Sequence, residues 1–202
     1  MATSLDGPVS RYLNRRVSAP IAAALARTAA TPNQVSVLAL LVGGAAALLL
    51  AAGRNIEAAV LIRASSIVDG VDGDLARAKG MATRFGGVFD AVLDRYADAV
   101  IAAGMAFWAA GHEDWPAPGV VGFGAAVGFL LVSYSRARLE TEGGREVASH
   151  LLGVASRDVR LLALAIGAAA GQCWWALAVV GALSYATVAW RLLRFRRMPA
   201  AP

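Results

Sequence analysis

The sequence predicts an all-α, polytopic membrane protein: six transmembrane helices behind one amphipathic surface helix, with both termini on the cytoplasmic side. Three observations predict it. Hydrophobic residues make up 58% of the 202 residues, and mean hydropathy is +0.57, too apolar for an ordinary soluble domain. The apolar residues fall into six runs parted by short polar or charged stretches. Almost every Lys and Arg falls on one side of the membrane if there are six crossings.

Taken in order, residues 5–29 read as the surface helix. Val9, Leu13, Val17, Ile21 and Leu25 recur along one stripe, while Arg11, Arg15 and Arg16 lie elsewhere on the wheel, the pattern of a helix lying in the interface. A helix packed on protein is the alternative, and Pro20 is a place for a kink. Thr31 then reads as an N-cap, with Pro32 at the first helical position. The six-helix bundle occupies 33–195, with crossings near 34–52, 58–78, 87–110, 119–138, 157–171 and 174–193. The last two nearly touch, which calls for a tight outer turn. Stretches such as GGAAALLLAAG and AIGAAAG let membrane helices approach closely. Residues 198–202 read as a disordered tail, and the whole of 1–202 as a single domain.

Arginines and lysines precede the first crossing and follow the last, and they cluster between the second and third and between the fourth and fifth. Arg54 and Arg63 alone fall toward the other side, where Trp108, Trp115, Trp174 and Trp175 gather as an aromatic belt would. The expected location is therefore the cell (plasma or inner) membrane. A net charge of +5 in a soluble protein would suggest nucleic acid. Here the arginines sit at the ends of apolar runs without interleaved aromatics, so no nucleic-acid partner is expected. The single cysteine, Cys173, excludes an intrachain disulfide and a cysteine metal site. No early apolar core with a cleavage site is visible, so insertion is expected to rely on the internal helices.

The chemistry gathers in DGVDGDLARAKGMATRFGGVFDAVLD, residues 69–94. Asp69 and Asp72 are spaced i, i+3, and Asp90 and Asp94 i, i+4, so each pair shares a helix face. Gly73, Ala76 and Gly86 leave space on the same faces, and Arg77 adds a fixed charge suited to phosphate. An acid in a membrane helix costs ~2.5–3.5 kcal/mol on insertion scales. Four together become tolerable when water and divalent cations reach them. All-oxygen ligands suit Mg2+ or Mn2+, and two such ions would clamp a diphosphate. A solvated acidic loop is the bland alternative. A membrane cation channel or transporter is the alternative from another class, although a cation path has little use for Arg77. Asp98 continues the stripe as a partner for an arginine or a buried structural acid, the latter favoured. Asp74 reads as an exposed loop acid. Lys79 and Arg84 read as contacts for lipid headgroups or substrate phosphate. His112 and His150 are given no role.

The spacing D-x2-D-G-x2-A-R-x8-G-x3-D-x3-D resembles the signature of the CDP-alcohol phosphotransferase family, with every defining position filled. The resemblance implies an enzyme that moves a substituted phosphate from a CDP-alcohol donor (CDP-diacylglycerol or a CDP-polyol) to an acceptor hydroxyl, releasing CMP. Asp69, Asp72 and Asp90 become metal ligands for Mg2+ or Mn2+. Asp94 becomes the base and a further ligand. Gly73, Ala76, Arg77 and Gly86 become the nucleotide and diphosphate site. The TPNQVS stretch adds Asn33 as a nucleotide contact, with a plain helix cap equally open. Family members with phosphorylated acceptors place basic residues where this chain has Arg136, Arg138, Arg157, Arg160 and Arg191. Binding of anionic membrane lipid is the alternative for these. A homodimer is implied by the resemblance alone. DGPVSRYLNRRVSAPI, TPNQVS and ASSIVDGVDGDLAR look like the transferase domain of the di-myo-inositol-phosphate-phosphate synthases, which implies a CDP-inositol donor. Phospholipid synthesis from CDP-diacylglycerol stays beside it.

Overall fold

The computed structural model describes residues 14–151, 153 and 155–198. Among these the chain is helical and contains no strand. The helices are α1 (Arg15–Leu25), α2 (Pro32–Ala51), α3 (Asn55–Ala78), α4 (Arg84–His112), α5 (Pro118–His150), α6 (Arg157–Ala169) and α7 (Cys173–Arg196).

Local chemistry sets the ends of these helices. Thr31 Oγ1 accepts from the Gln34 amide, and Gln34 Oε1 accepts from the Thr31 amide at 2.9 Å, a capping box that starts α2 with Pro32 in its first turn. Thr83 Oγ1 accepts from the Gly86 amide at 3.0 Å and starts α4. Helix α6 ends in a Schellman turn: Gly171 has φ +64°, and the Gln172 amide donates to the Gly167 carbonyl at 2.8 Å. This is the expected tight turn into α7.

Six helices follow α1, as expected. Three of them are long and apolar enough to cross a membrane: α2, α5 over Pro118–Gly144, and α7. The expected count of six crossings is not reached on that measure, for two physical reasons. Helices α3 and α4 have 24 and 29 residues but carry the acidic stripe and its arginines, which lowers their hydropathy. Helix α6 has 13 residues and opens on Arg157 and Asp158. Helix α5 also runs past the expected end at 138, reaching His150 across a break at Gly144, φ 76° and ψ 171°.

Helix α2 is the common neighbour of α3 and α4, α3 also packs on α6, and α5 packs on α7. The core between them holds Leu50, Ile62, Ile101, Met105, Phe129, Leu164 and Leu177. Small residues set the close approaches. A Cβ on Gly104 would come within 2.7 Å of Ala47 Cα, so α2 and α4 touch along their backbones there.

Helix α1 ends at Leu25, before the expected 29, and residues 5–13, with Val9 and Leu13 of the stripe, lie outside the described residues. Val17 and Ile21 are exposed, 44% and 40%, but Leu25 packs against the cluster of Ala22, Val35, Val71 and Leu75. The adjoining face docks on α3. Asn14 donates to Ser66 Oγ at 3.1 Å and accepts from Arg63 at 2.7 Å, and Ser18 donates to Asp74 at 3.2 Å. The described part of the helix therefore packs on protein along one face and leaves Val17 and Ile21 pointing outward. Met198, expected in a disordered tail, packs beside Leu139, Ala148 and Leu151; residues 199–202 lie outside the described residues. Trp115, Trp174 and Trp175 cluster with ring centroids 5.0–5.5 Å apart. Trp108 departs from the expected belt: it is buried in the core and stacked on His112.

Candidate active site

The acids lie on the C-terminal half of α3 and the N-terminal half of α4. Carboxylate oxygens of Asp69, Asp90 and Asp94 all fall within 4.8 Å of one another. Asp72 is buried at 6% exposure and accepts a short hydrogen bond from Ser36 Oγ on α2. Asp90 Oδ1 is buried without a hydrogen-bond partner. Ionised carboxylates this close repel one another, and an orphaned carboxylate oxygen is costly to bury. An all-oxygen set with spare lone pairs fits one or more hard divalent cations.

Asp72 and Asp90 also line a cavity of about 190 Å³. Gly73, Ala76, Gly86, Asn33, Arg77 and Thr83 line it as well. A Cβ on Gly86 would sit 3.1 Å from Thr83 Oγ1 and 3.4 Å from Asn33 Oδ1, so glycine here lets two polar side chains close on the cavity. Arg77 is half exposed and held by Asp74, Nη2 to Oδ1 at 2.7 Å. Asp74 is therefore not an exposed loop acid: its side chain is 16% exposed and joins α1, through Ser18, to a cavity arginine. Lys79 spends two of its three donors on backbone. It donates to the carbonyls of Thr28 and Ala30, both at 2.7 Å, and straps the α1–α2 turn to the end of α3. Arg84 is exposed.

The five arginines proposed from sequence part company. Arg157, at the start of α6, reaches the acids: Nη1 lies 2.6 Å from Asp69 Oδ2 and 2.9 Å from Asp94 Oδ1, and Nε donates to Asp98 Oδ1 at 3.0 Å. Arg160 is buried, with Nη2 on Asp98 Oδ2 at 2.9 Å, Nη1 on the Ala155 carbonyl at 3.0 Å, and its guanidinium over the Phe129 ring. Arg191 is buried at 2% exposure and donates to the carbonyls of Leu151 and Val132 and to Ser135 Oγ. Arg136 pairs with Glu140 and exposed Arg138 with Glu142, each one turn on. Asp98 turns out to be both of the things expected of it, buried and paired to arginines; Arg95 Nη2 also lies 3.3 Å from Asp94 and 3.9 Å from Asp98. The sequence alone gives Ser36 and Thr83 no individual role. Ser36 closes the TPNQVS stretch one helical turn after Pro32, which was the available signal.

An apolar helical bundle with clustered acids beside a cavity lined by small residues and an arginine suits the transfer of a phosphoryl group. The CDP-alcohol phosphatidyltransferase family model matches residues 29–193, and the chain belongs to that family. It is 45% identical over 197 residues to a bifunctional IPC transferase and DIPP synthase of Rubrobacter xylanophilus, covering 97% of this chain and 44% of the relative. The chain thus spans less than half the length of that relative. It is 32% identical over 208 residues to the phosphatidylinositol phosphate synthase of Mycobacteroides abscessus, covering 98% of this chain and 91% of the relative. Crystal structures of the Mycobacterium tuberculosis phosphatidylinositol phosphate synthase superpose on it. The one with CDP-DAG bound has a TM-score of 0.76 at 29% identity, covering 91% of this chain and 96% of that one. The one with manganese and citrate has a TM-score of 0.76 at 28% identity, covering 91% and 90%.

Proposed function

We propose that this chain transfers the substituted phosphate of a CDP-alcohol to the hydroxyl of an acceptor alcohol and releases CMP, in phospholipid or inositol-phosphate biosynthesis. The observation that carries this is Asp90, which belongs both to the cluster with Asp69 and Asp94 and to a cavity lined by Gly73, Ala76 and Gly86. The nucleotide lies in that cavity against Asn33, with its diphosphate toward Arg77. Asp69, Asp72, Asp90 and Asp94 would hold two divalent ions, Mg2+ or Mn2+. When bound, these neutralise the charge that develops on the diphosphate. Asp94 takes the proton of the acceptor hydroxyl as its oxygen bonds to phosphorus and the bond to CMP breaks. Arg157, beside Asp94, receives an acceptor phosphate. Arg136, Arg138, Arg160 and Arg191 were candidates for the same task. The contacts of Arg160 and Arg191 instead support loop-holding roles.

The donor has two readings, each with an observation behind it. The neighbour with CDP-DAG bound, aligned over nearly its whole length, favours CDP-diacylglycerol. The 45% identity to the bifunctional DIPP synthase favours a CDP-inositol donor. All six helices α2–α7 take part in crossing the membrane in this reading, with the acids facing the cytoplasm and the chain forming a homodimer.

The test is CMP release by purified, detergent-solubilised protein with Mg2+. CDP-diacylglycerol and CDP-inositol are each offered against inositol phosphate, glycerol phosphate and serine. Acceptor-dependent CMP from one donor is the expected result and names the donor. A protein that binds Mn2+ but no CDP-alcohol would defeat the proposal.

A further inference from the structure

We propose that Asp98, outside the eight-residue signature, is a positioning residue: it fixes Arg157 so that one guanidinium edge faces the acceptor. The inference rests on the acceptor role given to Arg157 above. Asp98 sits on α4 one turn beyond Asp94 and is 3% exposed. Its two oxygens are divided between two arginines spaced i, i+3 on α6: Oδ1 takes Arg157 Nε at 3.0 Å, and Oδ2 takes Arg160 Nη2 at 2.9 Å.

Two directions of the Arg157 guanidinium are thereby set. Nε is held by Asp98, and Nη1 lies between Asp69 and Asp94 at 2.6 and 2.9 Å. A planar guanidinium held at two corners has its third corner fixed. That corner, Nη2, is buried and has no hydrogen-bond partner. A buried, unpaired cationic donor is costly unless something occupies it. Next to the proposed base, the occupant with matching chemistry is an anionic oxygen on the acceptor, a phosphate. Arg160 is not an equivalent second hand, because its contacts go to Asp98, the Ala155 carbonyl and the Phe129 ring. It completes Asp98 and anchors the start of α6. Asp98 therefore governs use of the acceptor and not of the donor.

The experiment uses the full chain in detergent. Initial rates of CMP release are measured against donor and against inositol phosphate, for wild type, Asp98→Asn, Asp98→Glu, Arg157→Lys and the Asp98→Asn/Arg157→Lys double variant. Asp98→Asn is expected to raise the acceptor KM at least about tenfold, as loss of a buried charge partner does, and to leave the donor KM within about twofold. The double variant is expected to be no worse than Arg157→Lys alone, the non-additivity of residues acting through one another. Equal rises in both KM values, or additive effects, would overturn the proposal. If Asp98→Asn does not fold, Asp98→Glu carries the same test, since its extra methylene displaces Arg157. Thermal stabilisation by inositol phosphate, read on the same preparations, needs no turnover. Wild type stabilised and variant not supports the positioning role, and equal stabilisation overturns it even if no donor in the panel reacts. Absence of CMP from wild type would count against the reaction, separately.

Discussion

Asp94 lies within 2.9 Å of Arg157 Nη1 and 3.3 Å of Arg95 Nη2, so its neighbours hold it in place whether or not it carries a proton. Asp94→Asn keeps the size and loses the basicity. CMP release should fall about 10²–10⁴-fold, the usual worth of a general base, while binding of the CDP-alcohol, followed by calorimetry, stays within severalfold. Gly86→Ala acts on the other substrate. Its Cβ would press on Thr83 Oγ1 and Asn33 Oδ1, at a cost of about 1–3 kcal/mol if neither side chain yields. The donor KM should rise and the acceptor KM should not, as steady-state kinetics would show. At this scale the four acids were readable because helix periodicity places i, i+3 and i, i+4 residues on one face. The contacts Ser36–Asp72, Ser18–Asp74 and Arg157–Asp69 were not, because they join different helices. Periodicity within a helix carries no information on which residue of a neighbour arrives opposite.

The link between α5 and α6 explains two arginines that looked like substrate ligands. Buried carbonyls outside a helix need hydrogen-bond donors from elsewhere in the protein. Arg191 donates to Leu151, at the end of α5, and Arg160 to Ala155, just before α6. Arg191→Leu should therefore lower thermal stability outright, by about 1–3 kcal/mol for each buried carbonyl left unpaired, and reduce activity through α6. A preserved Tm with only a raised acceptor KM would instead return Arg191 to the acceptor site. Helix packing gives a second expectation. Gly104→Val must push α4 off the α2 backbone at Ala47, and its Tm in detergent should drop well below that of Ala103→Val, a neighbouring position outside that contact. The number and order of helices were legible from the apolar runs. The thirteen-residue length of α6 and the break at Gly144 in α5 were not. An apolar run merges a helix with the chain around it, and a glycine inside a run does not announce its φ.

At the scale of the molecule the acids must be solvated and charge-balanced for so apolar a bundle to keep them. Removal of divalent ions by EDTA should abolish CMP release, and Mn2+ or Mg2+ should restore it. Retained activity after exhaustive chelation would contradict the reading of the carboxylates. The proposed orientation has a direct test: a thiol placed at exposed Arg84 should react with impermeant maleimide only from the cytoplasmic side of vesicles, and labelling from the other side would overturn it. The native Cys173, buried with no exposure, should stay silent in that assay.

In the six-crossing topology proposed above, the shortness of α6 would set where the reaction happens in the thickness of the membrane. Thirteen residues of helix reach about 20 Å, against about 30 Å of hydrocarbon. If the Gly171 turn lies at the outer boundary, Arg157 and the acids it touches would stand about 10 Å below the inner one. The substrates would then meet at the bottom of a narrow well of water let into the bilayer. A soluble acceptor has to descend into it, and a lipid donor only has to slide in from the side.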